Sequence, residues 1–259
     1  MSRNFTMDDV AILHEDNSIL VVVKPQNIPS QSDDSGDVDL LTLLKGYIKD
    51  KYAKPGNVYL GLVHRLDRPT GGVMVFAKNS KSAERLSKQI AEGDMVKQYL
   101  TALVGSPREP KGTLVNYLKK NSLTNNVYVA TFGDHDAKRA ELSYQTLEKK
   151  DDLALIKVQL GTGRSHQIRV QFAAINCPVF GDVRYGGNVK RGCNLALWAY
   201  RLEFDHPVTR EHMVFVAYPP QIEPWNRFET GKYIERFADS EDGEEDGVPL
   251  YVAPGIADE

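Results

Sequence analysis

His64-Arg65-Leu66-Asp67-Arg68-Pro69-Thr70-Gly71-Gly72 stands between an apolar stretch at residues 58–63 and a continuous apolar run at residues 72–78. The run is short, unbroken and rich in β-formers, so it reads as a fully buried strand. The nine residues before it then form a loop on a rigid scaffold, where side chains can be held in fixed positions. An aspartate between two arginines stays ionised even when partly desolvated, because a nearby guanidinium favours the charged carboxylate. Asp67 is therefore a competent nucleophile. Pro69 restrains the backbone ahead of it, and the glycine pair permits a tight turn or the close approach of another backbone. The same composition also fits a structural ion pair that pins a turn.

Working outward, residues 10–14 and 18–24 are β-rich runs joined by Glu15-Asp16-Asn17 in a hairpin-like arrangement ending at Pro25. Residues 39–52 place Leu40, Leu41, Leu44, Tyr47 and Ile48 at three- and four-residue spacings, an amphipathic helix that stops before Lys54-Pro55-Gly56. Residues 80–91 read as a helix with Ser80 as N-cap and Ala83, Leu86 and Ile90 facing inward. Residues 96–104 form a core strand, and residues 113–160 are mostly strand, with turns at Asn125-Asn126, Gly133-Asp134 and Lys150-Asp151-Asp152. Residues 165–175 are the last clear helix, followed by strands at 195–204 and 212–217. Hairpins outnumber strand-helix alternations, which predicts an α+β fold around a mainly antiparallel, twisted mixed sheet flanked by helices.

A second chemical signal is Leu160-Gly161-Thr162-Gly163-Arg164-Ser165-His166-Gln167-Ile168-Arg169-Val170. A glycine-rich turn into a helix leaves backbone N–H groups and a positive dipole end, a ready anion site with Arg164 at its mouth. Ser165 is the expected N-cap, and His166 and Arg169 share a helix face. A capped surface helix with cationic decoration has the same pattern. Walker A is excluded because no Gly-Lys-Ser/Thr follows, and His64, His166 and His206 have no metal-ligand spacing.

The chain has 259 residues, 41% hydrophobic and 26% charged, enough for a substantial core. Its net charge of −3 is uneven. Residues 229–259 carry two basic against ten acidic side chains, net −8, which leaves residues 1–228 with 30 basic against 25 acidic, net +5. A mildly basic body suits a polyanion if its cations share a face. The acidic run at 239–246 repels itself and reads as a mobile tail. We thus expect an N-terminal extension over 1–9, one catalytic domain over 10–228 and an acidic C-terminal tail over 229–259. No apolar run is long enough to span a bilayer and no signal segment opens the chain, which predicts a cytoplasmic protein without membrane association. Cys177 and Cys193 are too few for a disulfide framework and read as buried or half-buried thiols.

Taken together, the segments resemble the RluA-type pseudouridine synthases. Residues 64–72 look like the family's HRLDRxTSG signature, and Gly163-Arg164-Ser165-His166-Gln167-Ile168-Arg169-Val170 looks like its GRTHQIRVH segment. Ile19-Leu20-Val21-Val22-Val23-Lys24-Pro25 is similar to the opening LVVxKP block, and Val96-Lys97-Gln98-Tyr99-Leu100 to the K-x-Y segment. The resemblance covers about residues 10–218, with the four blocks in the family's order. Gly71 replaces the usual Ser, Ser165 replaces Thr, and Gln171 stands where His is common. The stretch before Val10 has no room for the small RNA-binding module of many relatives, so target choice is expected to come from the catalytic domain.

The resemblance implies the pseudouridine synthase catalytic fold with a central cleft, and an enzyme that detaches uracil from a ribose in structured RNA and reattaches it through carbon, without cofactor or metal. It implies Asp67 as the essential carboxylate, Arg164 as the group holding it ionised, and Tyr99 as the ring stacking on the base and moving a proton. Read alone, Tyr99 fits a core aromatic of a strand better, and it is the order of the family's blocks that reverses the preference. The target uridine must leave its stack, and Arg65 is the candidate to fill the gap; Arg68, Lys97, His64 and Arg169 are expected RNA contacts. The partner is RNA, ribosomal or transfer, with no obligatory protein partner, the enzyme acting as a monomer. The alternative class is a non-catalytic RNA-binding or ribosome-assembly protein on the same fold. A glycoside hydrolase needs two cooperating carboxylates, and only Asp67 has a matching context.

Overall fold

The computed structural model of the protein describes residues 4–131, 133–186, 192–239 and 250–253. In chain order the strands are β1 Ala11–Glu15, β2 Ile19–Lys24, β3 Gly61–Leu62, β4 Gly71–Ala77, β5 Val96–Val104 and β6 Lys111–Lys120. They continue as β7 Val127–Val129, β8 Lys138–Lys150, β9 Leu153–Leu160, β10 Leu197–Asp205, β11 His212–Ala217 and β12 Leu250–Ala253. The α-helices are α1 Leu40–Lys51, α2 Ser80–Glu92, α3 Gln167–Ala174 and α4 Thr230–Asp239. Strand pairing is mostly antiparallel, with β11–β12 parallel, so the expected α+β class with a mixed sheet is the class the chain adopts. The described residues pack as two compact units, those within 4–96, 199–219 and 234–253 in the first and those within 97–198 and 220–233 in the second.

In the first unit the strands run in the order β1-β2-β4-β10-β11-β12, with β3 also beside β4. Every residue of β2 and β4 is buried, which is why both read as continuous apolar runs rather than alternating ones. α1 starts at Asp39, whose carboxylate accepts from the Thr42 amide at 3.0 Å and its hydroxyl at 2.7 Å. The helix buries Leu40, Leu44 and Ile48, one turn apart. α2 packs on β3 and β4. Its N-cap is Asn79 and not Ser80: Asn79 has extended backbone, and its side chain accepts from the Ser82 amide at 2.8 Å. The buried face of α2 is Ser82, Leu86 and Gln89, with Ala83 and Ile90 half-buried. Gln89 is inside because its amide makes both bonds to the Asp205 backbone, at 2.8 and 2.9 Å.

The second unit is an antiparallel meander in the order β5-β9-β8-β6-β7. α3 packs on β6 and β7, burying Gln167 through Phe172. The buried Gln171 side chain donates to the Leu114 carbonyl at 3.1 Å and to Asn116 Oδ1 at 2.8 Å, tying α3 to β6. Within the region read as an acidic tail, residues 230–239 form α4, with Thr230 and Ile234 buried, and residues 250–253 form β12. Apart from Asp239, the acidic run lies outside the described residues.

Gly72 is where two backbones meet. Its φ is +122°, and a Cβ there would sit 2.2 Å from the Ala199 carbonyl oxygen and 2.6 Å from the Ala199 nitrogen in β10. Neither atom can swing aside. We expect Gly72→Ala to lower the unfolding free energy by about 3 kcal/mol or more in urea titrations. Gly46, exposed in α1 with open space around its Cβ position, provides the contrast: Gly46→Ala is expected to raise it by ~0.5–1 kcal/mol.

Candidate active site

The candidate residues divide between the units, with His64, Arg65, Asp67 and Arg68 in the first and Lys97, Tyr99, Arg164 and Arg169 in the second. In the first unit the loop between β3 and β4 is held from beneath by Lys24, the last residue of β2. Lys24 is fully buried, and its ammonium donates to three carbonyls, Pro25 at 3.0 Å, Arg68 at 3.0 Å and Thr70 at 2.7 Å. Two of those acceptors directly follow Asp67 in the loop. Further ties fix the same loop. Ser30 Oγ donates to the Leu66 carbonyl at 2.8 Å, the Asn27 amide to the Arg68 carbonyl at 2.8 Å, and Gln26 Nε2 to the Pro69 carbonyl at 3.0 Å. The Thr70 amide closes the turn onto the Asp67 carbonyl at 2.9 Å.

Burial pushes the Lys24 ammonium down to about 7, with the Asp67 carboxylate pulling it back up and Arg68 adding to the depression. The lysine and aspartate are thus electrostatically linked. Asp67 is half-buried, Leu66 beside it is buried, and Arg65 is exposed. The loop points one arginine outward while its apolar neighbour anchors the chain. Arg68 is turned back on its own unit, bonded to Asp37 at 2.6 Å, Asp33 at 3.2 Å and Ser35. His64 Nε2 accepts from the Val75 amide at 3.1 Å, which puts the proton of a neutral ring on Nδ1.

In the second unit Tyr99 is buried in β5, opposite Val158 of β9. Lys97, two residues earlier on the same face, is pushed down by burial, and its ammonium lies 3.9 Å from where a Cβ on Gly163 would be. Lys97 thus sits alongside the turn carrying Arg164. That turn is not capped by Ser165. α3 begins at Gln167, and His166 occupies the N-cap position with φ +53° and no side-chain cap bond. Gln167 folds back instead. Its Oε1 accepts from the Arg164 amide at 3.0 Å and the Thr162 hydroxyl at 2.8 Å, while its Nε2 donates to the Glu141 carbonyl at 2.9 Å. The Arg164 amide is therefore satisfied internally, and the expected backbone anion site gives way to a side chain: Arg164 itself is exposed, its Nε donating to the Arg139 carbonyl at 2.9 Å.

Arg169, expected at the RNA surface, lies inside. Its guanidinium grips Asp182 through two 2.8 Å bonds and sits 5.1 Å over the Tyr185 ring. Desolvation works to raise the Asp182 carboxyl, but Arg169 and the amides of Tyr185 and Arg184 hold it below the usual range. Tyr185 Oη accepts from the Val127 amide at 2.9 Å and lies 2.7 Å from His166 Nδ1. His166 and Arg169 do share a face, and what they share is Tyr185. Lys24, Ser30, Gln167, Asp182 and Tyr185 escaped the site reading. Of these, only Lys24 has a local signal, a charged residue ending a wholly apolar strand.

A lysine with a depressed folded pKa holds fewer protons folded than unfolded between about pH 7 and 10.5, so its contribution to stability grows as pH rises through that window. Lys24→Met takes the ammonium donor from the Pro25 and Thr70 carbonyls and leaves Arg68 with the Asn27 amide alone, and is expected to lower the unfolding free energy at neutral pH by about 2–3 kcal/mol. Measured by urea titration, the wild type's advantage over this variant should widen by a few kcal/mol, at about 1.4 kcal/mol per pH unit, between those limits. A constant gap would contradict the burial of an ionisable amine.

Comparison with known proteins converges on one group. The profile of the RNA pseudouridylate synthase family matches residues 18–174, which include Lys24, Asp67, Tyr99 and Arg164. A protein of Aquifex aeolicus described as an uncharacterized RNA pseudouridine synthase is 34% identical over 82% of this chain and 70% of its own length. Ribosomal large subunit pseudouridine synthase D of Vibrio cholerae is 29% identical over 81% of this chain and 67% of its own. Among solved structures, human RNA pseudouridylate synthase domain containing 1 shares the fold, with a TM-score of 0.70 and 22% identity over 92% of this chain and 98% of that one. No helix among the described residues is long and apolar enough to cross a membrane. The chain belongs to the RNA pseudouridylate synthase family and is an RNA pseudouridine synthase, an isomerase acting on uridine in RNA.

Proposed function

We propose that the protein isomerises a specific uridine in a structured RNA, ribosomal or transfer, by drawing the base out of its stack and using Asp67 as the essential carboxylate. The observation that carries this reading is the Asp67 loop itself: a half-buried residue whose neighbouring carbonyls, Leu66 before it and Arg68 after it, accept from the buried Ser30 and Lys24 side chains. Such rigidity is what a reacting group needs, since catalysis depends on holding it near its productive geometry before substrate arrives.

In the reaction the bond from uracil N1 to ribose C1′ breaks, the ring turns, and C5 bonds to the same C1′. The proton on C5 leaves and N1 gains one, so the product has the composition of the substrate. Asp67 provides negative charge where the C1′ centre becomes electron-poor as N1 departs. Arg164 is assigned to keep that carboxylate ionised, and Tyr99 to stack on the uracil and pass the C5 proton. Arg65, exposed beside Asp67, fills the place the base vacates, its flat guanidinium stacking on the neighbouring bases. Lys97 and His64 support the RNA at the two segments. Arg68, paired with Asp37 and Asp33, positions the loop that carries Asp67, while the buried Arg169 supports the turn of Arg164. Extrusion of the base costs roughly a few kcal/mol, which binding to the flanking RNA must offset.

On RNA from cells lacking the gene, Asp67→Asn is expected to form no measurable pseudouridine while binding that RNA within about twofold of the wild type. Retained turnover would reject the assigned role. Arg65→Ala should slow the reaction on folded RNA by at least an order of magnitude, about the worth of 1.4 kcal/mol, and much less on a short unstructured strand. Equal losses on both would count against gap filling.

A further inference from the structure

Several of the large apolar side chains left exposed in the second unit lie on one ribbon. Val115 is 48% exposed, Tyr117 36% and Tyr128 44%, within β6 and β7. Register places them in a pattern. Tyr117 of β6 lies directly opposite Arg139 of β8, and Lys119 of β6 directly opposite Tyr128 of β7. Residues paired across strands, and residues two apart along one, point to the same side of a sheet. Two rings and two cations therefore alternate on one face, each ring with a cation opposite.

The other side of the ribbon is closed. Leu118, Val127 and Ala140 pack there with Val170 of α3. The tyrosines are consequently presented on a surface whose back is rigid. Lys119 and Arg139 are held in place by Asp134, at 2.6 Å, and Glu141. Charge on this side still favours an anion. Lys111, at even spacing from Tyr117 along β6, adds a third cation to Lys119 and Arg139, against the two carboxylates of Asp134 and Glu141.

The face also adjoins the Arg164 turn. The Gly161 and Thr162 amides donate to the Glu141 carbonyl at 3.0 and 3.1 Å, and Arg164 Nε donates to the Arg139 carbonyl. A strand held at Arg164 thus reaches these side chains by crossing the start of β8. An apolar protein partner would match a continuous greasy patch; rings separated by cations match unpaired bases joined by phosphates. We propose that this face, Tyr117 and Tyr128 interleaved with Lys119 and Arg139, is a stacking platform for single-stranded RNA flanking the modified uridine. The inference rests on the RNA-modifying reading above.

The test compares the wild type with Tyr117→Ala/Tyr128→Ala and Tyr117→Phe/Tyr128→Phe, using a fluorescently labelled, short, mixed-sequence single-stranded RNA in anisotropy titrations. Thermal melting checks that each variant is folded. Loss of the rings should weaken binding roughly 5- to 100-fold, the range for removing stacked aromatics, whereas phenylalanine keeps the ring and stays within about threefold. Wild-type affinity in the alanine variant, no wild-type binding to this RNA, or equal loss in the phenylalanine variant would overturn the platform. Pseudouridine formed by the wild type in RNA from cells lacking the gene is scored separately. If it forms while the alanine variant binds normally, the platform alone fails; if it does not form while the ring dependence holds, the catalytic reading fails and the RNA face stands.

Discussion

One buried ammonium holds the candidate active-site loop in shape. Lys24 sits fully buried at the end of a strand and gives its hydrogens to the carbonyls of Pro25, Arg68 and Thr70. Burying a charge is unfavourable unless it is fully bonded, and a carbonyl cut off from water is unfavourable unless it has a donor. The two demands meet at one atom. The loop cannot move away without exposing the amine, and the lysine cannot leave without taking a donor from three carbonyls. Asp67, immediately before two of those acceptor residues, inherits a fixed backbone.

A parallel device works in the second unit, with an amide and a buried ion pair in place of the lysine. Gln167 closes the turn that carries Arg164, and the Arg169–Asp182 pair sets Tyr185, whose hydroxyl meets His166. His166 takes a left-handed backbone conformation that a non-glycine residue adopts only when its surroundings hold it there. The exposed Arg164 guanidinium is thus the outer end of a chain of buried contacts. Breaking the Arg169–Asp182 pair would leave an uncompensated charge inside, at about 3–5 kcal/mol.

Much of the fold was legible because its causes are local. The unbroken apolar runs of β2 and β4, the three- and four-residue spacing of Leu40, Leu44 and Ile48, and the turns between β6 and β9 each declare themselves within a dozen residues. The loop around Asp67 was legible through its flanking charges and its family signature. What escaped depends on distant partners. Arg169 looks like any surface cation until Asp182 and Tyr185 are folded against it, and Gln167 outcompetes Ser165 as a cap because Glu141 and Thr162 are there to complete its bonds. α4 was hidden by charge: the acidic residues around it outweighed Thr230 and Ile234, which are buried.

The central claim is chemical, that a rigidly mounted carboxylate in this chain makes pseudouridine in RNA. Mapping pseudouridine across total RNA from cells with the gene, without it, and with it restored tests that claim most directly. The account predicts at least one uridine in a structured RNA that loses its modification with the gene and regains it on restoration. Maps that are identical in all three would contradict it.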